Sequence, residues 1–377
     1  MEKFFKVAER GSTPAQEFRA GITTFLAMAY IIAVNPALLA AAGVPISAAI
    51  TATCLGGGVM TILMGLFANR PLACASGMGV NAVVAFSLTP IAGGDWHAAM
   101  AVIFIEGIAI LLLVLCGLRE AIMDAIPVNL RHAISVGLGL FIALIGLKNS
   151  GIIIANEATL VALGDIFSPT FIVGVISIVA TVVLYSARVK GSLLIGIILA
   201  VLVGIPLGVT STPTGVVSGL DFGTFGAPFL TDGSGVMGIV KALTTPVLLV
   251  FAFSLMMSDF FDTMGSAMAI AKQGDFLTED GNVKDIKQIL IVDSAAAAAG
   301  GLFGASSITT FIESASGAAD GGRTGLSSVV TGLLFIAAAF IAPLISIVSS
   351  AATCGALVLV GFLMMSEVTE IDWNDLL

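Results

Sequence analysis

An all-α polytopic membrane fold is predicted by three observations. Hydrophobic residues make up 58% of the chain and charged ones only 10%, mean hydropathy is +1.11, and apolar stretches recur at about the 20 residues that cross a bilayer. A soluble enzyme is excluded on these grounds. The stretches place spans at 17–41, 47–67, 71–91, 97–118, 131–154, 168–187, 191–210, 241–271, 287–304, 306–319, 325–346 and 349–367.

Residues 1–16 carry no apolar signal-peptide core and read as a cytoplasmic segment. Lys3, Lys6, Arg10 and Arg19 precede the first span. Basic residues then return at every second connection: Arg70, Arg119 with Arg131, Arg188 with Lys190, Lys272 with Lys284 and Lys287, and Arg323. The alternate connections hold Asp95, Glu157, Asp165, Asp221 and Asp232. Because basic loops stay inside, this pattern puts the N-terminus in the cytoplasm. Lys148 and Lys241 depart from it at span ends, where a long stem snorkels.

The net charge of -9 comes from acids scattered over loops, spans and the tail, so no nucleic-acid partner follows from it. Cys54, Cys74, Cys116 and Cys354 have no metal-ligand spacing and read as packing residues, and no metal or cofactor is expected.

Two segments break the apolar pattern at membrane depth, PLACASGMGVNA at 71–82 and GGLFGASSITTFIESASGAADGG at 300–322. Non-helical backbone survives there only where protein or a water-filled cavity satisfies its polar groups. One such break in each half predicts an inverted repeat with half-helices around a central site. The first break offers Ser76, Gly77, Gly79 and Asn81; the second offers Thr309, Thr310, Glu313, Ser314 and Ser316.

Asp259 and Asp262 lie in the eighth span, TTPVLLVFAFSLMMSDFFDTMGSAMAIA, at a spacing that brings both toward one helix face. Acids at that depth are costly and are kept mainly where a substrate or ion uses them. Carboxylates, an amide and backbone N–H groups suit a planar ligand with alternating donors and acceptors. Glu106 and Asp293, also inside spans, are expected to pair structurally with other spans. His97 and His132 fall at span ends.

The motifs FRAGITTFLAMAYIIAVNP, GMGVNA, SDFFDTMG, TTFIESASG and GGRTGLSSVVTGLLF occur in this order over nearly the whole chain. In them the chain resembles the AzgA-like adenine/guanine/hypoxanthine permeases of the nucleobase-cation symporter 2 group. The resemblance implies a fourteen-span fold of two inverted repeats of seven. Its core domain would comprise residues 17–118 and 241–346, and its gate domain 131–210 and 349–377. The sequence ends at Leu377, just past the twelfth span, so the last two family spans are expected to be missing from this chain. By motif the resemblance places the purine site on Asp259, Asp262, Glu313, Gly79 and Asn81; Asp259, Glu313, Asn81 and Gly79 are expected to bind the substrate, and Thr310 and Ser76, offered by the two polar breaks, are lesser candidates. Proton coupling falls to Asp259, Glu313 and the supporting acid Asp262.

The function so implied is proton-coupled import of a purine nucleobase by a multi-pass plasma-membrane protein, with a homodimer as the implied assembly. The alternatives are a sulfate-type anion transporter of the same broad fold or a uracil/xanthine permease. Three acids argue against an anion. An intramembrane aspartyl protease is disfavoured because its two acids must face each other across helices and share one proton.

Overall fold

The computed structural model describes residues 2–117, 128–213, 215–231, 235–279 and 282–373. Arg119, Asp232, Asp375 and Leu377, and the side chains of Lys3 and Arg131, lie outside the described residues. The chain divides into two units, Met1–Met123 with Gly219–Phe340, and Asp124–Ser218 with Ile341–Leu377.

The first unit runs twice through one order of elements. The first pass is α1 (Pro14–Met28), α2 (Ile31–Ala41), α3 (Ile46–Phe67), β1 (Cys74–Ser76), α4 (Met78–Val83) and α5 (Trp96–Leu115). In the second unit come α6 (Val128–Asn149), β2 (Ile153–Asn156), β3 (Leu160–Leu163), α7 (Pro169–Ser186) and α8 (Ser192–Gly204). The second pass of the first unit is α9 (Gly238–Thr244), α10 (Pro246–Gln273), α11 (Ile286–Phe303), β4 (Ile308–Thr310), α12 (Ser314–Ala319) and α13 (Gly325–Ala338). The second unit then closes with α14 (Cys354–Met365).

Eight helical stretches among the described residues are long and apolar enough to cross a membrane, and two shorter apolar ones cover Met78–Ile91 and Ser192–Gly204. Several expected spans are therefore corrected. Span 71–91 is helical only from Met78, and span 306–319 only from Ser314, because residues 74–76 and 308–310 are extended. Span 17–41 begins at Pro14, behind the N-cap hydroxyl of Thr13, and turns at Ala29–Tyr30. Span 241–271 is divided at Thr245, where Pro246 starts a new helix. Span 131–154 stops at Asn149, and the antiparallel hairpin β2–β3 follows it. The hairpin carries a turn in which Asn156 Oδ1 accepts the N–H groups of Ala158 and Thr159; apolar runs either side of Asn-Glu-Ala-Thr were its legible signal.

Glycine pairs let helices from the two passes approach closely. α3 packs on α13, where a Cβ on Gly65 would meet Gly325 O at 2.4 Å and one on Gly332 would meet Gly58 O at 2.5 Å. α5 packs on α11, where a Cβ on Gly107 would meet Ala298 N at 2.2 Å and one on Gly301 would meet Met100 O at 2.8 Å. Small residues at matched spacing replace the hydrophobic effect as the source of helix affinity in lipid. The third helix of each pass thus packs on the last helix of the other, the relation expected of an inverted repeat. Glu17 of α1 reinforces the exchange, accepting Arg323 N–H at 2.8 Å and Thr324 N–H at 3.4 Å at the start of α13.

In the second unit α6 meets α14 at Gly139 and Gly361, and Ser177 of α7 accepts Gly355 N–H at 2.9 Å while donating to Ala352 O at 2.6 Å. Only 22% of α6 (from His132) and of α7 is buried within the chain, against 56% for α5. The remaining surface of these two helices is apolar, with Leu140, Leu144, Val179 and Val183 exposed.

Candidate functional site

The two breaks of the apolar pattern meet. β1 and β4 pair antiparallel, with Cys74 opposite Thr310, Ala75 opposite Thr309 and Ser76 opposite Ile308. The pairing extends outward through Phe311 N–H to Ala73 O and Gly77 N–H to Ser307 O, both 2.9 Å. A two-stranded ribbon at membrane depth still has two outer edges to satisfy. On the β1 side Thr61 of α3 does so, its hydroxyl donating to Cys74 O at 2.9 Å and accepting Cys74 N–H at 2.8 Å. On the β4 side Asp293 of α11 accepts Thr310 N–H at 2.7 Å and the Thr310 hydroxyl at 2.8 Å. Each strand is thus held by the third helix of its own pass.

Asp293 also takes the Thr263 hydroxyl of α10 at 2.5 Å, and Thr263 Oγ1 lies 3.0 Å from Thr309 Oγ1. One carboxylate therefore fastens α10, α11 and β4 together, the structural pairing expected of it. Glu106 departs from the same expectation. It is buried, and neither carboxyl oxygen has a hydrogen-bond partner among the described residues.

Asp259, 2% exposed, points to the junction of the two strands. Its Oδ2 accepts the Ser307 hydroxyl at 3.2 Å, and its Oδ1 has no partner among the described residues. Asn81 is fully buried in α4, its amide N 3.4 Å from Ser76 O and its Oδ1 unpartnered. Ser76, on β1, leaves its hydroxyl unpartnered as well. Unmet polar atoms in a buried place cost about 1–3 kcal/mol each, so three around one ribbon mark a site built for something other than packing.

Glu313 precedes α12, and its Oε1 accepts the Tyr30 hydroxyl at 2.6 Å. Tyr30 is fully buried at the turn between α1 and α2. Asp259 and Glu313 are not bonded to each other. Asp262 is exposed, one face away from buried Asp259, yet near enough to act electrostatically on both Asp259 and Tyr30. Gly79 sits half-buried in the first turn of α4. Thr310 is spent on Asp293 through both its donors.

Sequence reading missed Ser307 and Tyr30. A hydroxyl-tipped ring inside LAMAYIIAVNP was the one signal for Tyr30, and Ser307 was one of several serines in a polar break. Of the cysteines, Cys54, Cys74 and Cys354 are buried and Cys116 is exposed, all with free thiols.

A family model described as "Permease family" (Xan_ur_permease) matches residues 15–377. The adenine permease AdeP of Escherichia coli is 38% identical over 382 residues, covering 100% of this chain and 82% of its own. The guanine/hypoxanthine permease PbuO of Bacillus subtilis is 37% identical over 379 residues, covering 99% of this chain and 86% of its own. In three dimensions the chain is similar to the transmembrane domain of the cyanobacterial bicarbonate transporter BicA. The TM-score is 0.71 at 16% identity, over 96% of this chain and 91% of that one, a likeness of fold alone. With the match running through both passes and both strands, the chain belongs to this permease family and is a multi-pass membrane transporter, not an enzyme.

Proposed function

We propose that the chain is a proton-coupled symporter that imports a purine nucleobase. The observation that carries this reading is the set of unpartnered acceptors and donors around the strand ribbon: Asp259 Oδ1, Asn81 Oδ1 and the Ser76 hydroxyl. A purine offers ring N–H donors and acceptors in one plane, and a buried acceptor without a donor gains most from such a ligand. Relatives that are adenine and guanine/hypoxanthine permeases support the same ligand class.

In this reading Asp259 and Glu313 accept purine N–H groups, Asn81 and Gly79 form the wall from α4, and Asp262 is the supporting acid. Tyr30 fixes the Glu313 carboxylate, and Thr310, through Asp293, fixes β4. A proton taken up with the purine neutralises one of the buried acids and is released with it as the core, 17–118 and 241–346, moves against the gate, 131–210 and 349–377. The N-terminus faces the cytoplasm of the plasma membrane, and the apolar faces of α6 and α7 suit lipid or a second copy.

The test is uptake of labelled adenine, guanine and hypoxanthine into proteoliposomes, with and without an inward proton gradient, and with unlabelled sulfate as competitor. Purine accumulation that collapses with the gradient and is abolished by Asp259→Asn and Glu313→Gln is the expected result. Sulfate uptake without purine uptake, or normal uptake by both variants, overturns the reading.

A further inference from the structure

Glu106 is the buried acid that no contact described above explains. It lies midway along α5, 1% exposed, with both carboxyl oxygens unpartnered among the described residues. The groups that act on it are the Asp259 carboxyl and the Ser307 hydroxyl. Ser307 Oγ in turn lies 3.2 Å from Asp259 Oδ2. Two carboxyls from different helices therefore act on one buried hydroxyl, and among the described residues three of their four oxygens have no hydrogen-bond partner.

Charge balance decides what such a place binds. α5 packs against α10, α11 and α9 and against residues Val84–Leu88 and Ala227–Phe229. α10 contributes Asp259, with exposed Asp262 and Lys272 further along the same helix. α11 contributes Asp293, engaged with Thr263 and Thr310, and Lys287 in its first turn. From α9 comes Lys241, whose Nζ pairs with Asp95 at 3.1 Å, as does His97, at the start of α5. Asp95 is eleven residues from Glu106, about 16 Å along the helix axis. The two short segments carry no titratable residue. Among the described residues no cation therefore faces Glu106 from the elements packed against α5. Two bare carboxylates in a dry place repel, and holding a proton removes that cost. Among the described residues no cluster of three or more acids, histidines or cysteines is arranged to hold a metal ion instead.

We propose that Glu106 binds the coupling proton and that the Ser307 hydroxyl passes it to Asp259. With the Glu106 carboxyl turned onto it, Ser307 Oγ accepts the proton of Glu106 as it gives its own to Asp259 Oδ2. The hydroxyl ends unchanged, Glu106 ends as the carboxylate and Asp259 ends neutral. The inference rests on the transport reading above and adds to it an acid on α5 that no purine-facing role requires.

The experiment compares wild type with Glu106→Gln and Glu106→Asp in proteoliposomes, using labelled hypoxanthine and adenine. Glu106→Gln abolishes accumulation driven by a proton gradient, while counterflow exchange, which needs no net proton movement, survives at a reduced rate; Glu106→Asp restores part of the accumulation. Purine affinity of the wild type depends on pH by about tenfold, within the usual range of coupling between two sites, and that dependence is lost in Glu106→Gln. Should the variants not assemble, the wild type is treated with dicyclohexylcarbodiimide, an apolar reagent that adds to protonated buried carboxyls, and the adduct is located by mass spectrometry. Modification of Glu106 that slows as pH rises is expected. Gradient-driven accumulation by Glu106→Gln equal to wild type, or no pH-dependent adduct on Glu106, overturns the role of Glu106 alone. Absence of any purine transport by the wild type overturns the transport reading itself.

Discussion

Thr310 gives both its backbone N–H and its hydroxyl to one oxygen of Asp293, at 2.7 and 2.8 Å. That double bond to a single acceptor satisfies the outer edge of β4 where no water or further strand can. Replacing Asp293 by Ala leaves the Thr310 N–H and hydroxyl short of an acceptor, whereas the Thr263 hydroxyl keeps Asp259 O and Thr309 Oγ1 keeps Thr263 Oγ1, both at 3.0 Å. At about 1–3 kcal/mol for each buried donor left unmet, a loss of at least about 2 kcal/mol is expected. Thermal unfolding in detergent reads it, and Asp293→Asn, which keeps one acceptor oxygen, loses less.

Tyr30→Phe removes the 2.6 Å bond to Glu313 Oε1 without changing the ring's packing. A hydrogen bond to a charged group contributes about 1.5–3 kcal/mol, so about a tenfold rise in the KM for purine uptake is expected at normal protein levels. An unchanged KM would remove Tyr30 from the site.

Gly325 tolerates no side chain, since its Cβ would lie 1.8 Å from Gly65 O. Gly325→Val forces α3 and α13 apart at their closest point. Overpacking of this kind costs about 1–3 kcal/mol or more, and the expected outcome is a lowered melting temperature together with lost uptake. Gly93→Ala is a poor control because Gly93 has φ +75°; Gly137→Ala, with open space around its Cβ, is the suitable one.

Arg70 reaches Asp285 through both Nε and Nη2, at 2.9 and 2.6 Å, and its guanidinium lies 4.8 Å from the centre of the Phe276 ring. Lysine reproduces the charge but neither the fork nor the stacking. Arg70→Lys is expected to destabilise the fold by about 1 kcal/mol, seen as a shift in denaturation midpoint.

Asp221 lies in the loop before α9, where the Ser47 hydroxyl and the Gly223 N–H hold its carboxyl below the ordinary value. Its own N–H donates to Thr51 Oγ1 at 3.1 Å, so the loop is fastened to α3. A lowered folded value means the charged form is favoured by folding. This contribution is complete above the unfolded value of about 3.9 and is lost as pH falls through the folded one. Limited proteolysis within residues 219–225 should therefore quicken below about pH 4, and Asp221→Asn should remove that pH dependence.

The places where helix gives way were legible in the sequence, because glycine and small polar residues at 71–82 and 300–322 cannot sustain an apolar helix. That the two breaks pair with each other was not. β1 and β4 are separated by more than two hundred residues, and three-residue strands carry no periodicity to read. The acids were legible for their cost in lipid, but not their faces. A step of three residues turns a helix by about 300°, so Asp262 falls 60° from Asp259 and emerges at the edge of the buried stripe.

The partner of Glu313 was hidden for the same reason as the strand pair, since Tyr30 is 283 residues away in the chain. Glu106 and Asp293 looked alike as single acids in apolar spans, and only packing separated them. Asp293 faces four donors, whereas Glu106 faces another acid and one hydroxyl.

What the sequence by itself determined was the solvent, the approximate spans, the two breaks and the acids that lipid would not tolerate without use. These follow from local composition, because transfer of each segment into a bilayer depends on that segment alone. The tertiary structure decided which break meets which, which edge each polar side chain satisfies and which buried oxygens are left unmet. Those outcomes depend on close approach between the two passes of the chain, which Gly58, Gly65, Gly325 and Gly332 permit and no local pattern specifies.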